Sequence, residues 1–179
     1  MSDTGIEQGL TIRSAVIADA AALARLAEET FRLTFAADNT PEDMEAHCAS
    51  AYGTAIQRAQ IADDTIDTVV VEDENAELIA YAQLRPGAPP TITTSDPIEL
   101  WRFYVAASHH GRGLAQRLMG EVVDRVRRGG ARTLWLGVWE RNLRAQQFYR
   151  KCGFVEIGRH TFVLGKDRQT DLLMGRSVP

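Results

Sequence analysis

Ile98-Glu-Leu-Trp-Arg-Phe-Tyr-Val105-Ala-Ala-Ser-His-His110-Gly-Arg-Gly-Leu-Ala115 is a strand, a short loop and the opening of a helix in eighteen consecutive residues. Its first eight residues are rich in aromatic and branched side chains, the content of a strand. A period of two puts Glu99, Trp101, Phe103 and Val105 on one face and Leu100, Arg102 and Tyr104 on the other. After the loop, Leu114, Leu118, Val122 and Val126 recur at helical spacing as one apolar stripe, which stops at Gly129-Gly130. Between the two, Gly111 and Gly113 carry no side chains, so backbone N–H groups can approach a ligand closely with the helix dipole behind them. That is an anion site suited to a pyrophosphate. A plain turn before a helix uses the same glycines. The segment is not a P-loop, because no Gly-Lys-Ser/Thr follows. It also fails the dinucleotide fingerprint, since Gln116 stands where the third glycine belongs.

Downstream, residues 133–138 read as a strand. Asn142 caps a short helix on which Ala145, Phe148, Tyr149 and Cys152 share a face. Gly153 ends it, and two strands follow near 154–164 and 170–176. Upstream, residues 10–16 alternate like a strand. Leu23, Leu26, Ala27, Thr30, Phe31, Thr34 and Phe35 then mark a helix with Asp19 as N-cap. Thr40-Pro41-Glu42-Asp43 opens a second helix with a cap, a first-turn proline and acids facing the dipole. Strands follow over 66–72 and 78–84, and the run Arg85 to Pro90 is a loop. The expected order is strand, two helices, three strands, helix, strand, helix, two strands. Such an order makes a mixed sheet with helices on both faces.

The chain has 179 residues, which suits one domain spanning 1–179. Hydrophobic residues make up 45% and charged residues 25%, so disorder and fibrous repeats are excluded. No apolar run approaches the roughly 20 residues that cross a bilayer, and the polar start lacks the features of a signal peptide. Cys48 and Cys152 fit no metal or redox spacing, so no metal is expected and the default compartment is the reducing cytoplasm. Net charge divides sharply: residues 1–98 hold 5 Lys/Arg and 17 Asp/Glu, whereas residues 99–179 hold 15 and 7. Two surfaces for oppositely charged ligands would use that asymmetry, and solvated faces that differ by chance would also produce it. Nucleic acid is not an expected partner, because the basic half interleaves no run of aromatics with its cations.

Leu136-Gly-Val-Trp-Glu-Arg-Asn142-Leu-Arg-Ala145-Gln-Gln-Phe148-Tyr149-Arg-Lys-Cys-Gly153-Phe154, downstream of the glycine loop, resembles the GNAT superfamily of acyl-CoA-dependent N-acetyltransferases. The likeness is densest over 99–154. Thr30-Phe-Arg-Leu-Thr-Phe, Asn39-Thr-Pro-Glu-Asp-Met44 and Phe162-Val-Leu-Gly…Gln169-Thr-Asp-Leu-Leu-Met174 further resemble bacterial PaiA-type spermine/spermidine acetyltransferases. The resemblance implies an α/β (in some schemes α+β) acyl-CoA N-acyltransferase fold. Its mixed, mostly antiparallel sheet would have about six to seven strands flanked by about four helices. It also implies acetyl-CoA as co-substrate and an amine, by preference a polyamine, as acceptor. Carried over by position, His110, Gly111, Arg112, Gly113, Leu114 and Ala115 form the pyrophosphate loop. His110 stands where the family has Gln or Arg, and should alter affinity without abolishing binding. Phe103, Tyr104 and Val105 form the strand edge that pairs with the pantetheine amide. Asn142 contacts the cofactor, Tyr149 protonates the departing thiolate, and Lys151 beside the loop favours phosphates, as do Arg112, Arg117, Arg141 and Arg144.

Acetyl transfer to an amine needs a free nitrogen, a stabilised oxyanion and a proton for the leaving sulfur. An alkylammonium has a pKa of about 10.4, so a base must take its proton. Glu99 is the candidate, because apolar company on the face of Trp101, Phe103 and Val105 would raise its pKa; a strand-end glutamate in solvent is the alternative. Tyr149, with an ordinary pKa of about 10, can protonate a thiolate of about 8.5 when positioned, although an apolar helix face also suits a core tyrosine. Asp38, Glu42, Asp43 and Glu45 would attract a cationic acceptor, or serve as helix-start residues. A protein lysine or N-terminal acetyltransferase and a non-catalytic acyl-CoA sensor are the competing functions. The strand after Phe154 offers an edge for a homodimer.

Overall fold

The computed structural model describes residues 9–89, 91–93, 95–164 and 167–179. The polar start at 1–8, Pro90 of the expected loop and Gly165 of the last signature lie outside the described residues. Strands β1 (Thr11–Ser14), β2 (Asp67–Glu72), β3 (Leu78–Pro86), β4 (Ile98–Val105), β5 (Thr133–Trp139), β6 (Val155–Leu164) and β7 (Asp167–Ser177) form one sheet. Its order is β1-β2-β3-β4-β5-β7-β6. Every neighbouring pair is antiparallel except β4 with β5.

Helices α1 (Ala20–Phe35), α2 (Pro41–Ala51) and α3 (Thr54–Ala62) precede β2; α4 (Leu114–Arg128) and α5 (Leu143–Lys151) flank β5 in the chain. The sheet, α1, α2, α4 and α5 match expectation, and α3 is additional. Its sequence, Thr-Ala-Ile-Gln-Arg-Ala-Gln-Ile-Ala, carries no apolar stripe, and its buried residue is Gln57. Contact with α1, not amphipathicity, makes that segment helical. Thr40 caps α2 as expected, accepting the Asp43 N–H at 3.1 Å. Asp19 behaves differently. It makes no cap bond to α1; its carboxylate accepts two hydrogen bonds from Arg13, at 2.7 and 2.9 Å, and the Val16 N–H at 2.8 Å.

Two cores lie on opposite faces of the sheet. On one, the stripe Leu114, Leu118, Val122 and Val126 of α4 packs with Leu134, Leu136 and Val138 of β5 and with Tyr149 and Phe154. On the other, Leu23 and Phe31 of α1 pack with Met44, Cys48, Tyr52, Val70 and Tyr81. β4 is shared between them, and here the strict alternation expected from sequence fails. Its register with β3 steps from Gln83↔Arg102 to Leu84↔Leu100, which leaves Trp101 as the extra residue of a β-bulge. Leu100, Phe103 and Val105 therefore all face the α4/α5 core, while Tyr104 faces the α1/α2 core.

β4 and β5 are in register only at Ile98↔Leu134 and Glu99↔Trp135. Beyond that point the strands part, and the later residues of β4 and β5 edge an open slot.

The Arg13–Asp19 contact predicts a specific acid sensitivity. Hydrogen bonding by Arg13 lowers the Asp19 pKa, opposed by partial burial. A lowered folded-state pKa contributes stability above the unfolded value of about 3.9, and that stability is lost as pH falls through the folded value. Asp19→Asn should therefore lower the urea midpoint at pH 7, with the difference from the parent shrinking below about pH 4. A difference that holds constant down to pH 2 would contradict the assignment.

Candidate active site

After Val105 the chain makes one 3-10 turn, Ala107–His109, and reaches the glycines. Gly111 and Gly113 have φ of +78° and +80°, left-handed values that favour glycine. A Cβ built at either position meets nothing within 4 Å, so both face open space. Gly113 is the N-cap of α4, and no side chain caps the helix there. The first-turn N–H groups thus point outward with the helix dipole behind them, the arrangement that suits a diphosphate. The residues present fit that group. Arg112, Arg117 and Lys151 are exposed, Leu114 anchors the helix start in the core, and Ala115 is half-buried. The His110 ring lies 2.8 Å from the Val105 carbonyl oxygen, tying the loop to the end of β4.

Phe103 and Val105 turn toward α5. Phe103 stacks on Phe148 at 5.6 Å and meets the edge of Tyr149 at 6.3 Å. Tyr149 also meets Phe154 at 5.7 Å. Burial pushes the Tyr149 hydroxyl above its ordinary pKa, with a further contribution from the phenol of Tyr104. The raised value keeps the phenol in its protonated form, the form that holds a proton to donate. Asn142 caps α5 through Oδ1, which accepts the Ala145 N–H at 3.1 Å, so its amide nitrogen is the atom left to face a ligand.

Tyr104 points to the other face, where it stacks on Tyr81 at 5.7 Å. Burial raises its pKa to about 12; Asp171 adds to the rise, while Arg102 and a hydrogen bond with Tyr52 oppose it. Tyr104 packs with the α1/α2 core and Tyr149 with the α4/α5 core, and the phenol of Tyr104 still disfavours ionisation of Tyr149.

The same bulge removes the geometric ground for Glu99. Glu99 does not share a face with Phe103 and Val105. Its Oε2 accepts from Arg85 Nε at 2.5 Å, and its side chain is 15% exposed. The Arg85 guanidinium packs on Trp101 at 4.1 Å and that of Arg102 on the same ring at 4.0 Å. Glu99 is thereby engaged where β4 and β5 still pair. Arg141 also departs from expectation: it lies over Trp139 at 5.9 Å and 3.8 Å from Asp38, away from the glycine loop.

Sequence reasoning missed the polar pair next to the slot. Asp171 of β7 lies opposite Trp139 of β5 and opposite His160 of β6. Its Oδ2 is 3.6 Å from His160 Nε2 and 3.2 Å from the place a Cβ on Gly137 would occupy. Burial raises the Asp171 pKa, as does the charge of Glu140, and His160 opposes both. The walls nearby are aromatic, with Trp139 against Phe35 at 5.4 Å and Phe35 against Phe31 at 4.5 Å. No spacing in the sequence could have marked the pair, because only the β6–β7 register brings positions 160 and 171 together. Among the described residues no group of three or more His, Cys, Asp or Glu is placed to hold a metal ion. No helix among them is long and apolar enough to cross a membrane.

The profile of the Acetyltransferase (GNAT) family matches residues 21–154. A relative in Lactobacillus delbrueckii subsp. lactis, an uncharacterised N-acetyltransferase in the pepI 3′ region, is 32% identical over 154 residues, covering 86% of this chain and 88% of its own. Among solved structures, the PaiA N-acetyltransferase of Thermoplasma acidophilum in complex with coenzyme A superposes with a TM-score of 0.77 at 20% identity, over 95% of this chain and 99% of its own. A variant of the spermidine N-acetyltransferase SpeG from Vibrio cholerae superposes at 0.66 and 21% identity, over 96% and 95%.

Gly113→Ala tests the cradle. Alanine at φ +80° carries about 1–2 kcal/mol of backbone strain and projects its methyl into the open space. Calorimetry should record coenzyme A affinity lowered by about tenfold or more, with the circular dichroism spectrum unchanged. Parental affinity would show that the cradle is not the binding surface.

Proposed function

The chain belongs to the GNAT family of N-acetyltransferases, with acetyl-CoA as co-substrate, and from that premise we propose that it acetylates a primary amine of a polyamine such as spermidine or spermine by direct attack. The observation that carries this reading is the slot between β4 and β5, with a phenol on either side and an acidic, aromatic surface on the α1/α2 face. An aliphatic polycation suits that surface. Asp38, Glu140 and Asp171 offer negative charge, and Trp139, Phe35 and Tyr104 offer rings for methylene stems and ammonium groups.

In this reading the N–H groups of Gly111 to Ala115 hold the diphosphate, and Arg112 and Lys151 add charge at its rim. The facing edge of Phe103, Tyr104 and Val105 pairs with the pantetheine amide, as backbone left without a strand partner requires. His110 acts by fixing the loop to Val105, and Asn142 contacts the cofactor through its amide nitrogen. Tyr149 supplies the proton to the departing sulfur. Acetyl-CoA supplies the activated carbonyl. Glu99 is charge-compensated by Arg85, and the acceptor's base is sought elsewhere. The free Cys48 and Cys152 fit a reducing compartment, and the cytoplasm is the assigned location. β6, outermost in the sheet, is the edge through which two copies would pair.

Incubation with acetyl-CoA, spermidine, spermine and a peptide mixture, read by product mass, tests the acceptor. Mono-acetylated polyamine is the expected product; acetylated peptides with untouched polyamines would overturn the assignment. Tyr149→Phe should lower turnover by about a hundredfold while coenzyme A affinity stays within about twofold. An unchanged rate removes Tyr149 from the mechanism.

A further inference from the structure

We infer that Asp171, backed by His160, is the group that binds the acceptor's ammonium and takes its proton. The assignment rests on the amine-acetylating reading above. Three placements carry it. Asp171 leans over Gly137, the β5 residue that borders the slot, with Oδ2 where a Cβ at 137 would crowd it at 3.2 Å. Any side chain at 137 would press on that carboxylate. Second, Asp171 lies opposite Trp139, whose ring meets Phe35 of the α1/α2 core, the core that Tyr104 also faces, and the charge of Asp171 disfavours ionisation of Tyr104. Third, the Asp171 side chain is 15% exposed, whereas His160 is 48% exposed, so the pair links a sheltered carboxylate to solvent through one imidazole.

The charged and titratable groups around Asp171 are few in kind. His160 faces it from β6, Glu140 from the turn after β5 and Tyr104 from β4. The two acids make the place attractive to a cation, and the neighbouring Trp139 and Phe35 rings exclude water from one side of it. An ammonium entering there replaces the charge compensation that burial denies the carboxylate. Loss of a proton to Asp171 then turns it into a nucleophile.

The step balances. Asp171 accepts a proton as one ammonium N–H bond breaks, and the freed lone pair forms the new C–N bond at the thioester carbonyl. As the C–S bond breaks, its electron pair leaves on sulfur, which takes the Tyr149 hydroxyl proton. The Tyr149 phenolate recovers a proton from the now amide-forming nitrogen. Asp171 passes its proton to His160, and His160 releases it to water. One amide, one thiol and one proton result, and all three side chains return to their starting states.

The experiment uses the full chain with acetyl-CoA and the acceptor that the panel prefers, and compares Asp171→Asn with the parent between pH 6 and 10. The variant should keep coenzyme A affinity within about twofold and lose about a hundredfold or more of kcat/KM for the amine at pH 7. Its residual rate should climb about tenfold per pH unit toward the amine's pKa of about 10.4, because solution then supplies the free amine. The parent should level off well below that pH. A variant within threefold of the parent at every pH, or sharing its pH slope, overturns the assignment. If Asp171→Asn does not fold, His160→Gln at the half-exposed partner decides. A rate loss that is relieved by raising the pH supports the pair, and an unchanged rate overturns it. A parent that prefers a peptide over spermidine defeats the polyamine reading alone, since the same comparison run with that peptide still decides Asp171. A parent inert toward every amine overturns both.

Discussion

β4 and β5 run parallel and share register at Ile98–Leu134 and Glu99–Trp135 before they separate. Each strand is secured on its outer side, β4 by a long antiparallel ladder with β3 and β5 by one with β7. The sheet therefore survives the parting, but the facing edges of Phe103–Val105 and Gly137–Trp139 are left without a β partner. Backbone donors and acceptors in that position cost about 1–3 kcal/mol each when buried unpaired. A ligand that threads between the strands and carries amides of its own relieves that cost.

The bulge at Trp101 decides what meets at the gap. With it, Phe103 and Val105 join the α5 aromatics while Tyr104 turns to the α1/α2 core. Trp101 is left gripped between the guanidinium groups of Arg85 and Arg102. Arg102 is itself buried, and its hydrogen bonds go to neutral oxygens of Gln60, Gln83 and Ala51. A cation fixed on the α1/α2 face restrains the rise of the Tyr52, Tyr81 and Tyr104 pKa values, and adds to the lowering of His47 that burial causes. The phenols there stay neutral, and negative charge on that face is concentrated in carboxylates nearer the slot.

Much of the fold was legible because its elements carry local signals. The α4 stripe, the caps at Thr40 and Asn142, the aromatic strand 98–105 and the glycines at 111 and 113 each express a rule that needs no distant partner. α3 escaped because its helicity comes from packing on α1 and its own pattern is mute. Glu99 was placed on the wrong face because period-two counting assumes an unbroken strand, and the break at Trp101 is defined only against β3. Asp171 and His160 were invisible for the same kind of reason. Each is one polar residue on an ordinary strand, and their meeting depends on how β6 is registered on β7.

The chain of residues alone determined the order of most elements, the glycine loop before α4 and the aromatic helix that carries Tyr149, because these follow from short-range periodicity and backbone freedom, while the family was legible from the resemblance of its 136–154 segment. Only the three-dimensional arrangement decided which side chains share the α1/α2 face and which carboxylate stands beside Gly137. Those facts are set by strand register and by a one-residue irregularity, and register is a relation between segments that neither segment encodes by itself.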